Sequence, residues 1–81
     1  MVKDENERAI KNVMHNVVYL RKKNGYTRKQ MAEIMGVSMR TINMFENGIH
    51  PPRLSCYYLY NLKVHFNIPI ASFFEKRFDE E

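Results

Sequence analysis

The chain of 81 residues is 44% hydrophobic and 27% charged, with a formal net charge of +4, and this size favours one globular domain over a two-domain enzyme. Its one cysteine, Cys56, cannot form an internal disulfide or a cysteine-rich zinc site. We therefore expect no metal, no cofactor and a reducing, cytoplasmic environment. No apolar run approaches the roughly 20 residues that span a bilayer, so no membrane partner is expected.

The basic residues concentrate in the middle of the chain. Residues 1–19 balance three bases against three acids, residues 20–53 carry seven bases against two acids, and residues 54–81 carry three bases against four acids. The middle segment is either a solvated basic face or a binding site for a polyanion, and charge alone leaves both interpretations open.

Helical signals recur along the chain while strand signals are nearly absent, so the predicted fold class is all-α. The first helix is predicted from apolar residues spaced three and four apart: Ile10, Val13, Val17 and Leu20. It ends at Asn24-Gly25. A second helix starts at Thr27, because Thr27 and Gln30 form a capping-box pattern, and it ends at Gly36.

The third helix follows the capping residue Ser38 and ends at Asn47-Gly48. Its core face holds Ile42 and Phe45, so the opposite face presents four other side chains: Met39, Arg40, Asn43 and Met44. The C-terminal helices are predicted at about residues 54–78, and Cys56 is expected on their buried face.

Two short helices joined by a tight glycine turn, over about residues 27–47, are typical of a helix-turn-helix. The chain resembles the phage repressor and Cro-like family, also called the xenobiotic response element family of transcriptional regulators. Six segments carry the resemblance: Leu20-Arg21, Gly25-Tyr26-Thr27-Arg28, Met31-Ala32, Met35-Gly36-Val37-Ser38, Thr41-Ile42 and Glu46-Asn47-Gly48. It covers about residues 13–74 and implies a single five-helix, repressor-like DNA-binding domain over residues 1–81.

The resemblance implies that the third helix, about residues 38–47, lies in the major groove of double-stranded DNA. It implies base contacts by four residues of that helix: Met39, Arg40, Asn43 and Met44. It implies phosphate contacts by four others: Arg28, Ser38, Asn47 and Arg53. It also implies a structural ion pair between Arg21 and Glu46 across the first and third helices.

The side-chain chemistry agrees with these assignments. Arg40 can bond guanine O6 and N7 bidentately, and Asn43 has the paired donor and acceptor that adenine presents. Met39 and Met44 stand where many relatives carry polar residues, so apolar contact with thymine methyl groups is the expected substitute.

The leading interpretation is a sequence-specific double-stranded DNA-binding regulator, a repressor that occupies its operator. An antitoxin of a toxin–antitoxin pair is an alternative, since it would use the same domain and add a surface for a protein partner. A protein-interaction module without DNA binding is an alternative of another class, favoured by the two methionines. No catalytic motif is recognisable, so an enzyme is not expected.

A homodimer on a palindromic operator is expected, because two-fold symmetry presents two recognition helices to successive major grooves about 34 Å apart. Four longer helices offer little inner surface for several phenylalanines, so the predicted interface is apolar and C-terminal. It consists of four residues: Ile70, Phe73, Phe74 and Phe78.

Overall fold

The computed structural model describes residues 2–51 and 55–80, with side chains from residue 6 onward. The five α-helices are α1 (Val2–Lys23), α2 (Arg28–Met35), α3 (Met39–Glu46), α4 (Cys56–Phe66) and α5 (Ile70–Glu75), and a 3₁₀ turn follows at Phe78–Glu80. No β-strand occurs among the described residues. The predicted all-α, five-helix fold is confirmed.

The helix α1 is the longest element, about 33 Å at 1.5 Å per residue, and it supports both halves of the domain. It packs against α3 on one side and against α5 and the 3₁₀ turn on the other, while α2 packs on α3 and α4. Its predicted apolar stripe lies in the core, where Val13, Val17 and Leu20 are buried. No described helix is long and apolar enough to cross a membrane.

Two asparagines of α1 attach the C-terminal end of the chain to the core. The Nδ2 group of the fully buried Asn16 donates to the carbonyls of Phe73 and Lys76 at 3.1 and 2.8 Å, and its Oδ1 accepts from the Phe78 N–H at 2.9 Å. Asn12 donates to the Phe74 carbonyl at 2.9 Å. Because the last carbonyls of a helix lack partners within it, these side chains of α1 complete the end of α5.

The C-terminal apolar residues are largely covered by the domain itself. Phe73 is fully buried, and the Phe78 ring packs edge-on against it with centroids 5.1 Å apart. Ile70, Phe74 and Phe78 are partly buried against the same core. The sequence predicts Phe73 at a dimer interface; in the structure the chain folds back over α1 and encloses that ring within the domain.

The helix α4 faces the core differently from the sequence prediction. Cys56 is exposed, so the prediction that it is buried is wrong. Tyr58 fills the space beside Phe45 instead, with ring centroids 5.7 Å apart. Three apolar side chains on the outer face of α4 are more than half exposed: Tyr57 at 70%, Tyr60 at 55% and Val64 at 59%.

Candidate nucleic-acid interface

Local hydrogen bonds define both ends of α2. Thr27 Oγ1 accepts from the Gln30 N–H at 3.0 Å, and Gln30 Oε1 accepts from the Thr27 N–H at 2.8 Å, which completes a capping box. At the other end Gly36 adopts the left-handed conformation, with φ 73°. The Asn61 side chain of α4 donates to the Met35 carbonyl at 2.9 Å. The turn is thus held by its own sequence and by α4.

The turn leads directly into α3, which begins and ends where the sequence predicts. Ser38 Oγ accepts from the Thr41 N–H at 3.2 Å and caps the helix. Ile42 and Phe45 are buried, so the opposite side of α3 faces outward. That side presents Met39 and Arg40, which are exposed, and Asn43 and Met44, which are partly buried. The four residues predicted to contact bases thus lie on one short, largely accessible surface.

A buried ion pair fixes α3 to α1. Arg21 Nε donates to Glu46 Oε2 at 2.6 Å and Arg21 Nη2 to Glu46 Oε1 at 3.2 Å, while Arg21 Nη1 donates to the Tyr26 carbonyl at 3.0 Å. The Glu46 side chain is only 4% exposed. One guanidinium therefore joins α1, the end of α3 and the loop before α2, and the bidentate geometry restricts how α3 can rotate.

A second arginine reaches the same cluster from the start of α2. Arg28 Nη1 donates to Asn43 Oδ1 at 3.0 Å, and Arg28 Nη2 lies 3.8 Å from Glu46 Oε1. The Arg28 side chain is 45% exposed. The single Glu46 carboxylate thus lies close to two guanidinium groups. The sequence predicts a phosphate contact for Arg28 and a base contact for Asn43, and it does not predict that the two side chains contact each other.

The remaining predicted phosphate contacts are at the two ends of α3. Ser38 is exposed, with its Oγ engaged by Thr41. Asn47 is exposed at the other end, and its N–H donates to the Asn43 carbonyl at 3.0 Å. Arg53 lies outside the described residues. The structure therefore places Ser38 and Asn47 at opposite ends of α3 and Arg28 beside its middle.

Residues 18–55 match a family model described as helix-turn-helix, a range that runs from the second half of α1 to the residue before α4. No curated protein and no solved structure shows a significant match to the chain. The fold and the family match define a DNA-binding helix-turn-helix, the class of domain to which this surface belongs.

Within that class, the family model that matches residues 18–55 is of the Cro and phage repressor type, the xenobiotic response element family, which the sequence also resembles. This family consists of DNA-binding regulatory domains and is not a class of enzymes. The match accordingly supports a DNA-binding transcription regulator in general.

Proposed function

We propose that the protein is a sequence-specific repressor that places α3 in the major groove of double-stranded DNA. The observation that carries this proposal is the exposed Arg40 on α3, a helix whose opposite face is buried and whose orientation is fixed by Glu46. An arginine at such a position can bond the O6 and N7 atoms of guanine bidentately. Arg28 beside α3 supplies a phosphate contact, which sets the position of the domain on the duplex.

Binding to fluorescently labelled duplexes tests the DNA-binding part of the proposal. The protein is titrated onto two duplexes, one selected from a random library and one of random sequence, at about 50 to 200 mM salt. The logarithm of the binding constant should fall linearly with the logarithm of the salt concentration. Arg40→Ala should weaken binding to the selected site about 5- to 150-fold, the equivalent of about 1–3 kcal/mol, with a small effect on random DNA. Equal losses on both duplexes would remove Arg40 from base recognition. No binding to any duplex would favour the protein-interaction alternative.

Repression is tested separately by transcription in vitro from a promoter that overlaps the selected site. Wild-type protein should reduce the transcript when it occupies the site, and Arg40→Ala should not do so at the same concentration. An increase in transcript on binding would identify an activator and overturn this part of the proposal.

We also propose that a second copy of the chain packs on the outer face of α4. Its exposed apolar side chains are spaced three and four residues apart and form one stripe: Tyr57, Tyr60 and Val64. The spacing is self-complementary, because a two-fold axis beside Tyr60 sets Tyr57 of one copy against Val64 of the other. Such a dimer would present two copies of α3 to a palindromic operator.

Sedimentation at micromolar concentration distinguishes this surface from the C-terminal one. The double variant Tyr57→Glu, Tyr60→Glu should be monomeric, while Ile70→Glu, Phe74→Glu should still dimerise if its helicity is retained. The reverse result would assign the contact to the C-terminal surface that the sequence predicts. A strictly monomeric wild type would overturn the homodimer.

A further inference from the structure

The amide of Asn43 is not free to turn on the surface of α3, because Arg28 holds one side of it. We propose that Arg28 is a positioning residue that sets the base preference at the point that Asn43 faces, beyond any contact with phosphate. The amide would then donate to a base acceptor, guanine N7 or O6 or thymine O4, in preference to a bidentate contact with adenine. This inference rests on the proposed insertion of α3 into the major groove.

The hydrogen bond from Arg28 determines which atom of the Asn43 amide is left to contact DNA. A guanidinium has five N–H donors and no acceptor, so the group that faces it at 3.0 Å must be the amide oxygen. The Nδ2 group, with its two N–H bonds, is the part of the amide that remains for DNA. A hydrogen bond to a charged donor also polarises the amide, which strengthens Nδ2 as a donor.

Arg28 is in turn positioned by α3 itself. Its Nη2 lies 3.8 Å from Glu46 Oε1, and Asn43 and Glu46 are three residues apart, so they are neighbours on the helix surface. Glu46 is buried and held bidentately by Arg21, so it provides a fixed negative charge that attracts Arg28. The side chain of Arg28 is still partly exposed, so a phosphate contact and the Asn43 contact are compatible.

The cation beside the amide oxygen disfavours adenine. Bidentate recognition of adenine requires the asparagine oxygen to accept from N6 while the nitrogen donates to N7. Donation from Nδ2 to adenine N7 brings the N6 amino group to the second lone pair of Asn43 Oδ1, close to Arg28. The positive charge of the guanidinium then repels the partial positive charge of the amino hydrogens. Guanine and thymine offer acceptors to Nδ2 without placing a second donor at that oxygen.

Selection of duplexes from a random library tests this assignment, with the full chain as wild type, Arg28→Lys, Arg28→Ala and Asn43→Ala. The wild type should prefer guanine or thymine over adenine at one position of the site, by about 2- to 13-fold, the range of one net hydrogen bond. That preference should be lost at the same position in all three variants. Arg28→Lys keeps the positive charge, but a lysine lacks the planar guanidinium that bonds the Asn43 amide with one nitrogen and lies near the Glu46 carboxylate with the other.

The matched control is Lys29→Ala, which removes an exposed charge next to Arg28 on α2. It should lower affinity for all sequences alike and leave the preference unchanged. Selection of adenine by the wild type, or an unchanged preference in both Arg28 variants, would overturn the role of Arg28 while DNA binding stands. A wild type that enriches no sequence at any salt would overturn the proposed function and this inference together.

Discussion

The carboxylate of Glu46 is only 4% exposed and lies close to two arginines at the end of α3. Removal of one partner of a buried ion pair leaves the other charge without compensation. Glu46→Ala should therefore destabilise the domain by about 3–5 kcal/mol, measured as the free energy of unfolding in urea. An exposed glutamate of α2, Glu33, supplies the control, and Glu33→Ala should change stability by less than about 0.5 kcal/mol.

An unchanged denaturation midpoint in Glu46→Ala would contradict a buried pair with Arg21. Glu46→Gln separates charge from shape, because the amide keeps one acceptor for Arg21 but loses the negative charge. We expect an intermediate loss of stability for that variant, since one hydrogen bond to the guanidinium can still form.

The phenol of Tyr58 makes the stability of the domain sensitive to high pH. Burial raises the pKa of Tyr58 from 10.0 to about 12. In the unfolded chain the phenol ionises near pH 10. Below about pH 10 it is neutral in both states and the free energy of unfolding is at its full value. Between about pH 10 and 12 it ionises in the unfolded chain alone, so the free energy of unfolding falls by about 1.4 kcal/mol per pH unit. Tyr58→Phe should remove this loss, measured as the difference in unfolding free energy between variant and wild type across that range.

Tyr58→Phe should cost little at neutral pH, because the buried Tyr58 hydroxyl has no hydrogen-bond partner among the described residues. The exposed Tyr60 provides the control: Tyr60→Phe leaves Tyr58 in place, so that variant should keep the alkaline decline. A Tyr58→Phe variant with the same alkaline decline as the wild type would show that the phenol ionises equally in both states.

At the level of elements, the turn between α2 and α3 is constrained both by its backbone conformation and by the neighbouring α4. Gly36 has φ 73°, and a Cβ placed there would lie 3.1 Å from Asn61 Nδ2. Gly48 has φ 70° and nothing within 4 Å of the same position. Both alanine variants should lose about 1–2 kcal/mol from backbone strain. Gly36→Ala should lose about 0.5–1.5 kcal/mol more, because Asn61 must shift from the Met35 carbonyl.

Thermal denaturation of the two glycine variants measures this difference under identical conditions. Since Gly48→Ala reports the strain alone, the difference between the variants isolates the close approach of α4. Equal melting temperatures would mean that the Asn61 side chain moves aside without weakening its hydrogen bond.

The elements that the sequence predicts well are those whose signals are local. Thr27 with Gln30, Ser38 and Gly36 each act within a few residues of their own position, so α2 and α3 begin and end where predicted. The partners of Asn16 lie 57 to 62 residues away in the chain, and no spacing rule connects them. One of these partners is the carbonyl of Phe73, so local signals in the sequence do not predict how the C-terminal segment is attached to α1.

The candidate site is likewise predicted where the signal is local and missed where a contact depends on packing. The outward side of α3 follows from helical periodicity, because burial of Ile42 and Phe45 determines which residues face away. The bond from Arg28 to Asn43 joins two helices across the turn, and its existence depends on how they cross. Sequence patterns give the composition of such a surface, but contacts between its members require the packed structure.

For the molecule as a whole, Asn16 connects the two ends of the chain. Its side chain satisfies two carbonyls and one N–H of the C-terminal segment in a fully buried position. Asn16→Ala should destabilise the domain by at least about 1–3 kcal/mol, because buried polar groups lose their partners, measured by urea unfolding. The Asn24 side chain, just after the end of α1, donates to the nearby Leu20 carbonyl, and Asn24→Ala should have a much smaller effect. Equal losses in both variants would contradict the role of Asn16.

The bond from the Phe78 N–H to Asn16 has a consequence for hydrogen exchange. An amide in an isolated three-residue 3₁₀ turn would exchange with solvent deuterium almost as fast as in an unfolded peptide. Here the acceptor is fully buried on α1, so exchange at Phe78 requires the segment to separate from α1. The Phe78 amide should thus exchange at a rate set by separation of this segment from α1, far more slowly than an amide of an exposed turn, although it lies near the C-terminus.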